Sequence, residues 1–198
     1  MQANSNRSAI LVIDFINDIV HEEGRIPSCA AFVKEQNIIT QANHVISIAR
    51  EQHALLIFIK VGFNKNYNEC SENSPMFGKA KENKALILDS WGTEFHPALD
   101  YQSNDIVVTK HRVSSFYCTS LEIILNANDI HQIALCGVST NNAVQATARD
   151  AHDRDYKVAI VEPACGAANP VDHSYALHLI GRFANIITIN DLVPFLCG

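Results

Sequence analysis

The sequence predicts an α/β protein, a doubly wound, three-layer α/β/α domain with a mainly parallel sheet. Short apolar runs alternate along the chain with segments whose apolar residues recur at helical spacing. The runs are apolar at nearly every position, which is typical of strands in a parallel sheet with helices on both faces. The chain has 198 residues, of which 47% are hydrophobic, and no repeat or boundary interrupts it. We therefore expect one domain over residues 1–198.

The first half of the chain contains three predicted strands and one predicted helix. The run SAILVID (Ser8–Asp14) ends on a carboxylate, and the runs ALLIFIKV (Ala54–Val61) and DIVVTK (Asp105–Lys110) follow it. Between the first two strands, the apolar residues of Phe32–Gln52 recur at helical spacing. This spacing predicts a single helix over that segment.

The stretch Gly62–Asn104 has no clear periodicity and is rich in Asn, Glu, Lys and Gly. A loop of this length is unusual and commonly covers a substrate or forms an interface. A disordered surface loop is the simpler interpretation. The presence of Trp91, Phe95 and Pro97 favours an ordered segment.

The second half of the chain continues the alternation of helix and strand. Thr119, with Glu122 three residues later, forms a capping-box pattern at the start of a helix. The run QIALCGV (Gln132–Val138) is the next strand, and a helix is predicted from about Asn142 to Arg154. The remaining predicted elements are, in order, a strand over KVAIVEP (Lys157–Pro163), a helix over Pro170–Phe183 and a strand over Asn185–Asp191.

The composition argues against several classes of function. The formal net charge is −6 and Lys and Arg form no long run, so we expect no nucleic-acid partner. The apolar runs are too short to cross a bilayer, and the polar stretch MQANSNRSA lacks the apolar segment of a signal peptide. We therefore expect a cytoplasmic location and no membrane partner. The six cysteines form no C-x-x-C pair and no zinc-like spacing with His, so reduced thiols and no metal are expected.

Three predicted strands end in polar residues that could form a site. Asp14 ends the first strand, Lys110 ends the third, and the turn Ser139–Asn142 leads into a helix that begins near Ala143. Taken singly, such an Asp is usually a turn former, such a Lys is usually solvated, and the STNN turn is an N-cap cluster. Ligands of doubly wound sheets bind at the carboxyl ends of the strands, so the three together predict a site.

This predicted site has the parts of a nucleophilic mechanism except the nucleophile. Asp14 and Lys110, brought close together, would keep each other charged unless burial shifts both pKa values. The helix N-terminus would add backbone N–H groups that can stabilise an oxyanion or lower the pKa of a thiol. A cysteine at position 143 would complete the set, whereas the sequence has Ala143.

Four segments resemble the isochorismatase-like cysteine hydrolase superfamily, and the resemblance covers most of the chain. ILVIDFINDIV is similar to the opening strand of that family with its D-x-Q-N-D-F signature. VTKHRVSSFYCTSL is similar to its K-x-R-x-S-x-F-x-G-T segment, and LCGVSTNNAVQATARDA to its G-V-x-T-x-x-C-V-x-x-T-A-x-D-A segment. WGTEFHPAL resembles a G-T-x-x-H-P loop found in many members. Several ordered motifs at suitable separations are a much stronger signal than any one of them.

The resemblance implies a parallel, doubly wound sheet that assembles into homodimers or homotetramers. It also implies hydrolysis of a C–N bond in a small amide, ureido or carbamoyl compound, with no cofactor. A cysteine thiolate attacks the carbonyl, ammonia or an amine leaves, and water hydrolyses the thioester. By this resemblance Asp14 would be the general base and acid, Lys110 would stabilise the thiolate and the developing charge, and position 143 would hold the nucleophile.

The resemblance further implies which residues surround the reacting atoms. A cis peptide bond between Val138 and Ser139 would shape an oxyanion hole formed by the backbone N–H groups of residues 139 and 143. Arg112 could hold a substrate carboxylate by a bidentate contact, or form a structural ion pair with an acid on a helix. The positions that match substrate-binding residues of relatives are Ile19, Trp91, Tyr117 and Asn142.

Three positions depart from the family pattern. Ala143 stands at the nucleophile position, Ile16 replaces the Gln of D-x-Q, and Cys118 replaces the Gly of F-x-G-T. Ile16 removes an amide from the pocket floor, and Cys118 puts a thiol near the site. Cys118 is a poor replacement nucleophile because it lacks the helix N-terminus that serves position 143. The stretch KVGFNKNYNEC has no His, unlike the D-x-H cluster of nicotinamidases, which argues against a metal and against nicotinamide as the substrate.

Three interpretations of Ala143 stay open at this point. In the leading one, the alanine replaces the catalytic cysteine of an amidohydrolase, so that this chain is inactive while the rest of the frame is intact. In the second, the protein is an isochorismatase-type hydrolase that cleaves a vinyl ether with Asp14 as the acid. Those enzymes typically carry Gly at this position, within a motif that contains a His. In the third, the protein is a pseudoenzyme that binds a small molecule or a partner, although Asp14 and Lys110 are both retained.

Overall fold

The computed structural model describes residues 7–198, and within them six strands form one parallel sheet. The strands are β1 (Ser8–Ile13), β2 (Leu55–Val61), β3 (Ile106–Lys110), β4 (Gln132–Val138), β5 (Lys157–Gly166) and β6 (Asn185–Ile187). Their order across the sheet is β3-β2-β1-β4-β5-β6, and every neighbouring pair is parallel. All six residues of β1 are buried, as are Ile133–Val138 of β4. The prediction of a doubly wound parallel sheet is confirmed.

Helices cover both faces of this sheet. They are α1 (Asn17–Val20), α2 (Ala30–Glu35), α3 (Ile38–Glu51), α4 (Pro75–Glu82), α5 (Leu121–Ala127), α6 (Gln145–His152), α7 (Pro170–Ile180) and α8 (Leu192–Cys197). Connections between parallel strands are right-handed. The chain moves from β1 to β3 in one direction and from β4 to β6 in the other, which places α3 on one face and α6 and α7 on the opposite face. No helix in the described part of the chain is both long enough and apolar enough to cross a membrane.

The single helix predicted over Phe32–Gln52 is wrong, because the segment forms α2 and α3 with a break at Asn37. Asn37 has a φ of 53°, in the left-handed region that interrupts a helix. Asn tolerates this conformation better than most residues, since its short polar side chain can bond locally. The periodic apolar residues, from Ile38 onward, all lie in α3, so their spacing did not show that Phe32 belongs to a separate helix.

The helix predicted from Asn142 to Arg154 also differs from the structure. The chain first makes a wide π-helical turn over Thr140–Val144, and α6 follows it. The N–H of Val144 donates to the carbonyl of Ser139 at 3.2 Å, a bond that spans five residues instead of four. Such turns are frequent at functional sites.

Two helix starts differ from the sequence-based expectation. The capping box predicted at Thr119 and Glu122 does not form: α5 begins one residue after Ser120 without a side-chain cap, and Glu122 pairs with Arg154 at 3.3 Å. At the C-terminal end, the predicted strand over Asn185–Asp191 stops at Ile187. There a capping box between Thr188 and Asp191 opens a 3₁₀ turn, and α8 follows.

The long segment between β2 and β3 is ordered, as its aromatic residues suggested. It contains α4 and a 3₁₀ turn over Trp91–Thr93, and the Phe95 ring packs 4.6 Å from the Tyr101 ring. The segment also builds a second core beside the main one. The second core consists of Ile16, Val61, Phe63, Tyr67, Cys70, Phe77, Ala80, Ala85 and Leu86.

A buried carboxylate, Asp18, helps to hold this segment against the residues that follow β1. Asp18 is 2% exposed; its Oδ2 accepts from the N–H of Leu86 at 2.6 Å and its Oδ1 from the N–H of Arg25 at 3.1 Å. Gly92 lies directly against it, since a Cβ at that position would sit 2.2 Å from Asp18 Oδ2. The carboxylate of Asp18 therefore fixes the second core in place.

Candidate active site

The predicted site lies at the point where the order of the strands reverses. β1 and β4 are adjacent, yet the chain leaves them in opposite directions, which opens a crevice at their carboxyl ends. Asp14 follows β1, Lys110 is the last residue of β3, and the turn that carries Ala143 follows β4. The topology therefore brings these three sequence-predicted positions to the same edge of the sheet.

Asp14 and Lys110 form a buried ion pair. Lys110 Nζ lies 2.8 Å from Asp14 Oδ2, and the side chains of Lys110 and Asp14 are only 2% and 4% exposed. The same ammonium donates to the carbonyl of Arg112 at 3.2 Å. The other oxygen of the carboxylate, Asp14 Oδ1, is buried and has no hydrogen-bond partner among residues 7–198. A buried acceptor without a partner is costly, so this oxygen is a candidate contact for a ligand or a water molecule.

Burial raises the pKa of Asp14 above its ordinary value, and the neighbouring Lys110 ammonium only partly offsets the effect. The physical cause is the loss of hydration, which penalises the carboxylate more than the neutral acid. A carboxyl group with a raised pKa takes up a proton more readily than an ordinary carboxylate, which is the property used in general acid–base catalysis. Asp14 therefore has the properties required of a general acid or base.

The chain leaves β4 through a conformation that requires glycine. Gly137 has a φ of 138°, and a Cβ there would lie 2.2 Å from the carbonyl oxygen of Ile13 on β1. The next peptide bond, between Val138 and Ser139, is cis, at the position that the family resemblance implies. The side-chain amide of Asn142 then donates to Ser139 Oγ at 2.9 Å, and the backbone N–H of Asn142 donates to the carbonyl of Ser139 at 3.1 Å. These bonds close the turn on which Ala143 sits.

A cavity of about 140 Å³ opens beside these groups. Its polar side is lined by Asp14, Lys110, Ser139 and Asn142. Ala143 also faces it and is 5% exposed, so the methyl group of this alanine contributes to the wall. The cavity thus brings the position of the expected nucleophile together with the predicted acid–base group.

The opposite side of the cavity is apolar and comes from the long segment between β2 and β3. Met76, Phe77 and Ala80 project from α4, and Leu86 follows that helix. The second core therefore forms one wall of the cavity. Sequence reasoning missed this wall, because nothing in the spacing of residues 62–104 indicated which side chains face the sheet edge.

Cys29 also lines the cavity and was not selected from the sequence. This residue is 1% exposed, and burial raises the pKa of its thiol to about 11. Cys118, the thiol considered from the sequence, is exposed and lies outside the cavity lining, with a φ of 53°. A thiol with a raised pKa is a weak nucleophile, so Cys29 contributes to the shape of the cavity and not to its reactivity.

The structure separates the predicted substrate-binding residues into two groups. Ile19 and Asn142 line the cavity, whereas Trp91, Arg112 and Tyr117 do not. Trp91 is 44% exposed with its ring 5.1 Å from His21, and Tyr117 is 59% exposed.

Arg112 does not line the cavity, and among residues 7–198 it does not form the ion pair considered as its alternative. Its guanidinium donates to the backbone carbonyls of Glu69 and His111 at 2.8 and 2.6 Å. Ile16 is fully buried in the second core, away from the cavity lining. Neither Arg112 nor Ile16 lines the cavity in this structure, and the binding role of Arg112 stays a prediction.

Within residues 7–198, no group of three His, Cys, Asp or Glu side chains is arranged to hold a metal ion. His21 and His96 come close, with ring centroids 5.3 Å apart, at a groove beside α2 and α3. They lie outside the cavity that contains Asp14.

The fold and this arrangement of residues define an α/β protein with a site at the carboxyl ends of its parallel strands. Residues 8–191 match the Isochorismatase domain family, and the chain belongs to that family. It is 27% identical over 195 residues to the uncharacterized isochorismatase family protein YecD of Escherichia coli O157:H7, covering 98% of each chain. It is 30% identical over 179 residues to the ureidoacrylate amidohydrolase RutB of Yersinia enterocolitica, covering 84% of this chain and 78% of that one.

Solved structures agree with this assignment. The isochorismatase-like hydrolase from Alkaliphilus metalliredigens superposes with a TM-score of 0.80 at 27% identity, covering 95% of this chain and 98% of that chain. The coverage on both sides shows that the whole fold is shared, including the edge of the sheet at which the candidate site lies.

Proposed function

We propose that the protein is built to hydrolyse a C–N bond in a small amide, ureido or carbamoyl compound, with release of ammonia or an amine. The observation that carries the proposal is the buried Asp14–Lys110 pair, which lines the same cavity as Ala143 and has one carboxylate oxygen without a hydrogen-bond partner in the described residues. The similarity to a ureidoacrylate amidohydrolase supports the same reaction class. In this proposal position 143 is the nucleophile position, and its alanine leaves this chain unable to form a thioester.

Each group in the cavity has a role in that reaction. A cysteine at position 143 would pass its proton to Asp14 and attack the carbonyl carbon, and Lys110 would stabilise the negative charge that develops. Backbone N–H groups of residues 139 and 143 would hold the oxyanion. Asp14 would return the proton to the departing nitrogen and then activate the water that cleaves the thioester. The raised pKa of Asp14 suits this exchange of one proton in both directions.

The experiment compares the chain as it stands with Ala143→Cys, using a panel of small amides, ureas and carbamoyl compounds. Ammonia release is expected from the cysteine variant only. Ala143→Ser serves as the matched control, because it has similar size but a poorer nucleophile. Adding Asp14→Asn to the cysteine variant is expected to lower the rate by about 100-fold or more. Equal release from the chain as it stands and from Ala143→Cys, or none from either on any member of the panel, would contradict the proposal.

A second candidate is acid-catalysed cleavage of a vinyl ether, as in isochorismatase-type enzymes. The raised pKa of Asp14 and its free oxygen favour this reaction, which needs no thiol. Under this candidate the chain as it stands would release pyruvate from an enolpyruvyl ether, and Asp14→Asn would not. If the chain as it stands and Ala143→Cys both bind a ligand but neither converts it, a non-catalytic binding protein is favoured instead.

We also propose that residues 1–198 form one domain, that the protein is cytoplasmic and that it assembles into a homo-oligomer. Exposed apolar side chains on α7 support the last of these, since Val171 and Tyr175 lie one turn apart and are 76% and 65% exposed. Light scattering coupled to size exclusion measures the assembly, and a monomer at micromolar concentration would contradict it.

A further inference from the structure

We propose that the ligand of the cavity is an uncharged, small and largely apolar amide or urea, and that carboxylates are disfavoured because the cavity lacks a free cation. This inference deepens the proposed function by naming the substrate class of the same site, and it rests on that function. Three properties of the cavity carry it: the charges, the size and the apolar wall.

The cavity offers no unpaired positive charge to an anion. Among the side chains of residues 7–198 that line it, only Asp14 and Lys110 carry charge. Their atoms are 2.8 Å apart, so each neutralises the other. A carboxylate on the ligand would therefore lose its hydration without gaining a cationic partner, which is strongly unfavourable.

The arginine that could have supplied such a partner is occupied elsewhere. Arg112 donates to the backbone carbonyls of Glu69 and His111, and its guanidinium does not line the cavity. Lys110 cannot turn to an anion freely, because it bonds both Asp14 and the carbonyl of Arg112. A ligand carboxylate would have to break one of these contacts to be bound.

The size and the lining of the cavity point to a compact apolar body. Its volume of about 140 Å³ is well below the roughly 300 Å³ at the lower end of pockets for drug-sized ligands. The apolar part of the lining includes Val61, Phe77, Leu86 and Val113. A ligand with a short aliphatic or single-ring group can pack against these side chains, while its amide faces the polar residues of the cavity.

Met76 is the position at which this preference can be altered. It lines the cavity and is 44% exposed, so it lies at the mouth, where a charged side chain stays partly hydrated. Met76→Arg is therefore expected to fold and to add the cation that the cavity lacks. Met76→Gln is the matched control, since it is polar, similar in length and uncharged.

The test measures binding to the chain as it stands, by calorimetry, with two pairs of compounds that differ only in a methyl or a carboxylate group. The pairs are butyramide with succinamate and propylurea with 3-ureidopropionate. The neutral member of each pair is expected to bind at least about tenfold more tightly. Equal or tighter binding of the carboxylates, or no binding of any of the four compounds, would overturn the proposal.

The variants test the physical cause. Met76→Arg is expected to shift the preference toward the carboxylates by about tenfold, and added salt is expected to reduce the shift, whereas Met76→Gln leaves it unchanged. An unchanged preference in the folded arginine variant would overturn the proposed cause, the lack of a free cation in the cavity. Binding does not depend on turnover, so the result is independent of ammonia release by Ala143→Cys. A neutral preference without turnover by the cysteine variant would refute the proposed function alone, and turnover of carboxylates would refute this inference alone.

Discussion

The hydroxyl of Thr140 lies 2.8 Å from Nδ1 of His173, and this contact ties the π-helical turn beside the cavity to α7. Thr140 is fully buried, and the ring of His173 packs 5.5 Å from that of Phe32. The turn that carries Ala143 is thus held from outside the site, by a residue that no motif identified.

Replacing His173 is expected to loosen this turn. His173→Leu leaves the buried Thr140 hydroxyl without its partner, so the free energy of unfolding should fall by about 1–3 kcal/mol. Urea denaturation measures the loss, and His178→Leu on the exposed side of the same helix serves as the control. An equal loss of unfolding free energy in both variants would show that the Thr140–His173 contact does not stabilise the fold.

The same contact predicts a dependence of stability on pH. Burial lowers the pKa of His173 below 6.5, an effect that the nearby Glu162 carboxylate partly opposes. The folded state therefore favours the neutral ring, and its contribution is complete above about pH 6.5 and is lost as the pH falls through the lower folded-state pKa. The unfolding free energy of His173→Gln, compared with that of His178→Gln, should fall less steeply with decreasing pH. Parallel curves for the two variants would contradict the prediction.

Removing one member of the buried ion pair is expected to cost more than removing both. Lys110→Met leaves the Asp14 carboxylate without a cation and should lower the free energy of unfolding by about 3–5 kcal/mol. Lys110→Met combined with Asp14→Asn should recover part of the loss, since no buried charge is left. A double variant that is less stable than Lys110→Met would contradict this expectation.

The loss in Lys110→Met should also depend on pH. Without the ammonium, the pKa of Asp14 rises further, so the folded state takes up a proton that the unfolded state lacks. The loss is therefore smaller at about pH 5 than at about pH 8. Urea titrations at the two values measure the difference, and the double variant, which has no carboxylate at this position, should not show it.

Two glycines in the long segment between β2 and β3 give a matched test of the second core. Gly92→Ala would place a Cβ 2.2 Å from the Asp18 carboxylate, which holds Leu86 and Arg25, so a loss of about 2 kcal/mol or more is expected. Gly78→Ala meets nothing within 4 Å on α4 and should stabilise the protein by about 0.5–1 kcal/mol. Butyramide binding should weaken only in the Gly92 variant. Equal effects of the two substitutions would show that Asp18 does not organise the wall.

The exposed and the buried thiol are expected to react at very different rates. Cys118 is exposed, whereas burial raises the pKa of Cys29 to about 11. Iodoacetamide at about pH 8 should modify Cys118 first and Cys29 slower by about 100-fold or more, because the thiolate is the reactive form. Mass spectrometry of tryptic peptides over time measures both rates. Rapid modification of Cys29 in the folded protein would show that its thiol is more reactive than its surroundings suggest.

Much of the sheet could be predicted because its signal is local. The predicted bounds of the fourth strand, Gln132–Val138, agree with β4, and the strand-end argument brought Asp14 and Lys110 to one edge. Apolar runs identify buried strands, and parallel topology then fixes which ends meet. The helix ends were less accurate, since the left-handed Asn37 and the five-residue bond to Ser139 leave no trace in apolar periodicity.

The lining of the cavity could be predicted only in part. Ile19 and Asn142 line it, because they lie next to strand ends and their direction follows from the sheet. Trp91 and Arg112 were placed by position in a motif, which does not determine where a side chain points. Met76 and Phe77 face the cavity only because α4 packs back onto the sheet edge, a long-range contact that no local pattern encodes.

The division of the cavity between sheet edge and second core has a consequence for how such proteins diversify. The groups suited to bond cleavage come from Asp14, Lys110 and the turn after β4, whereas a large part of the apolar wall comes from one continuous stretch, residues 63–88. Exchanging that stretch between relatives would alter which compound is accepted and leave the reaction centre in place. A library of variants confined to this stretch would therefore change which compounds the cavity accepts, while the sheet and the groups at its edge stay the same.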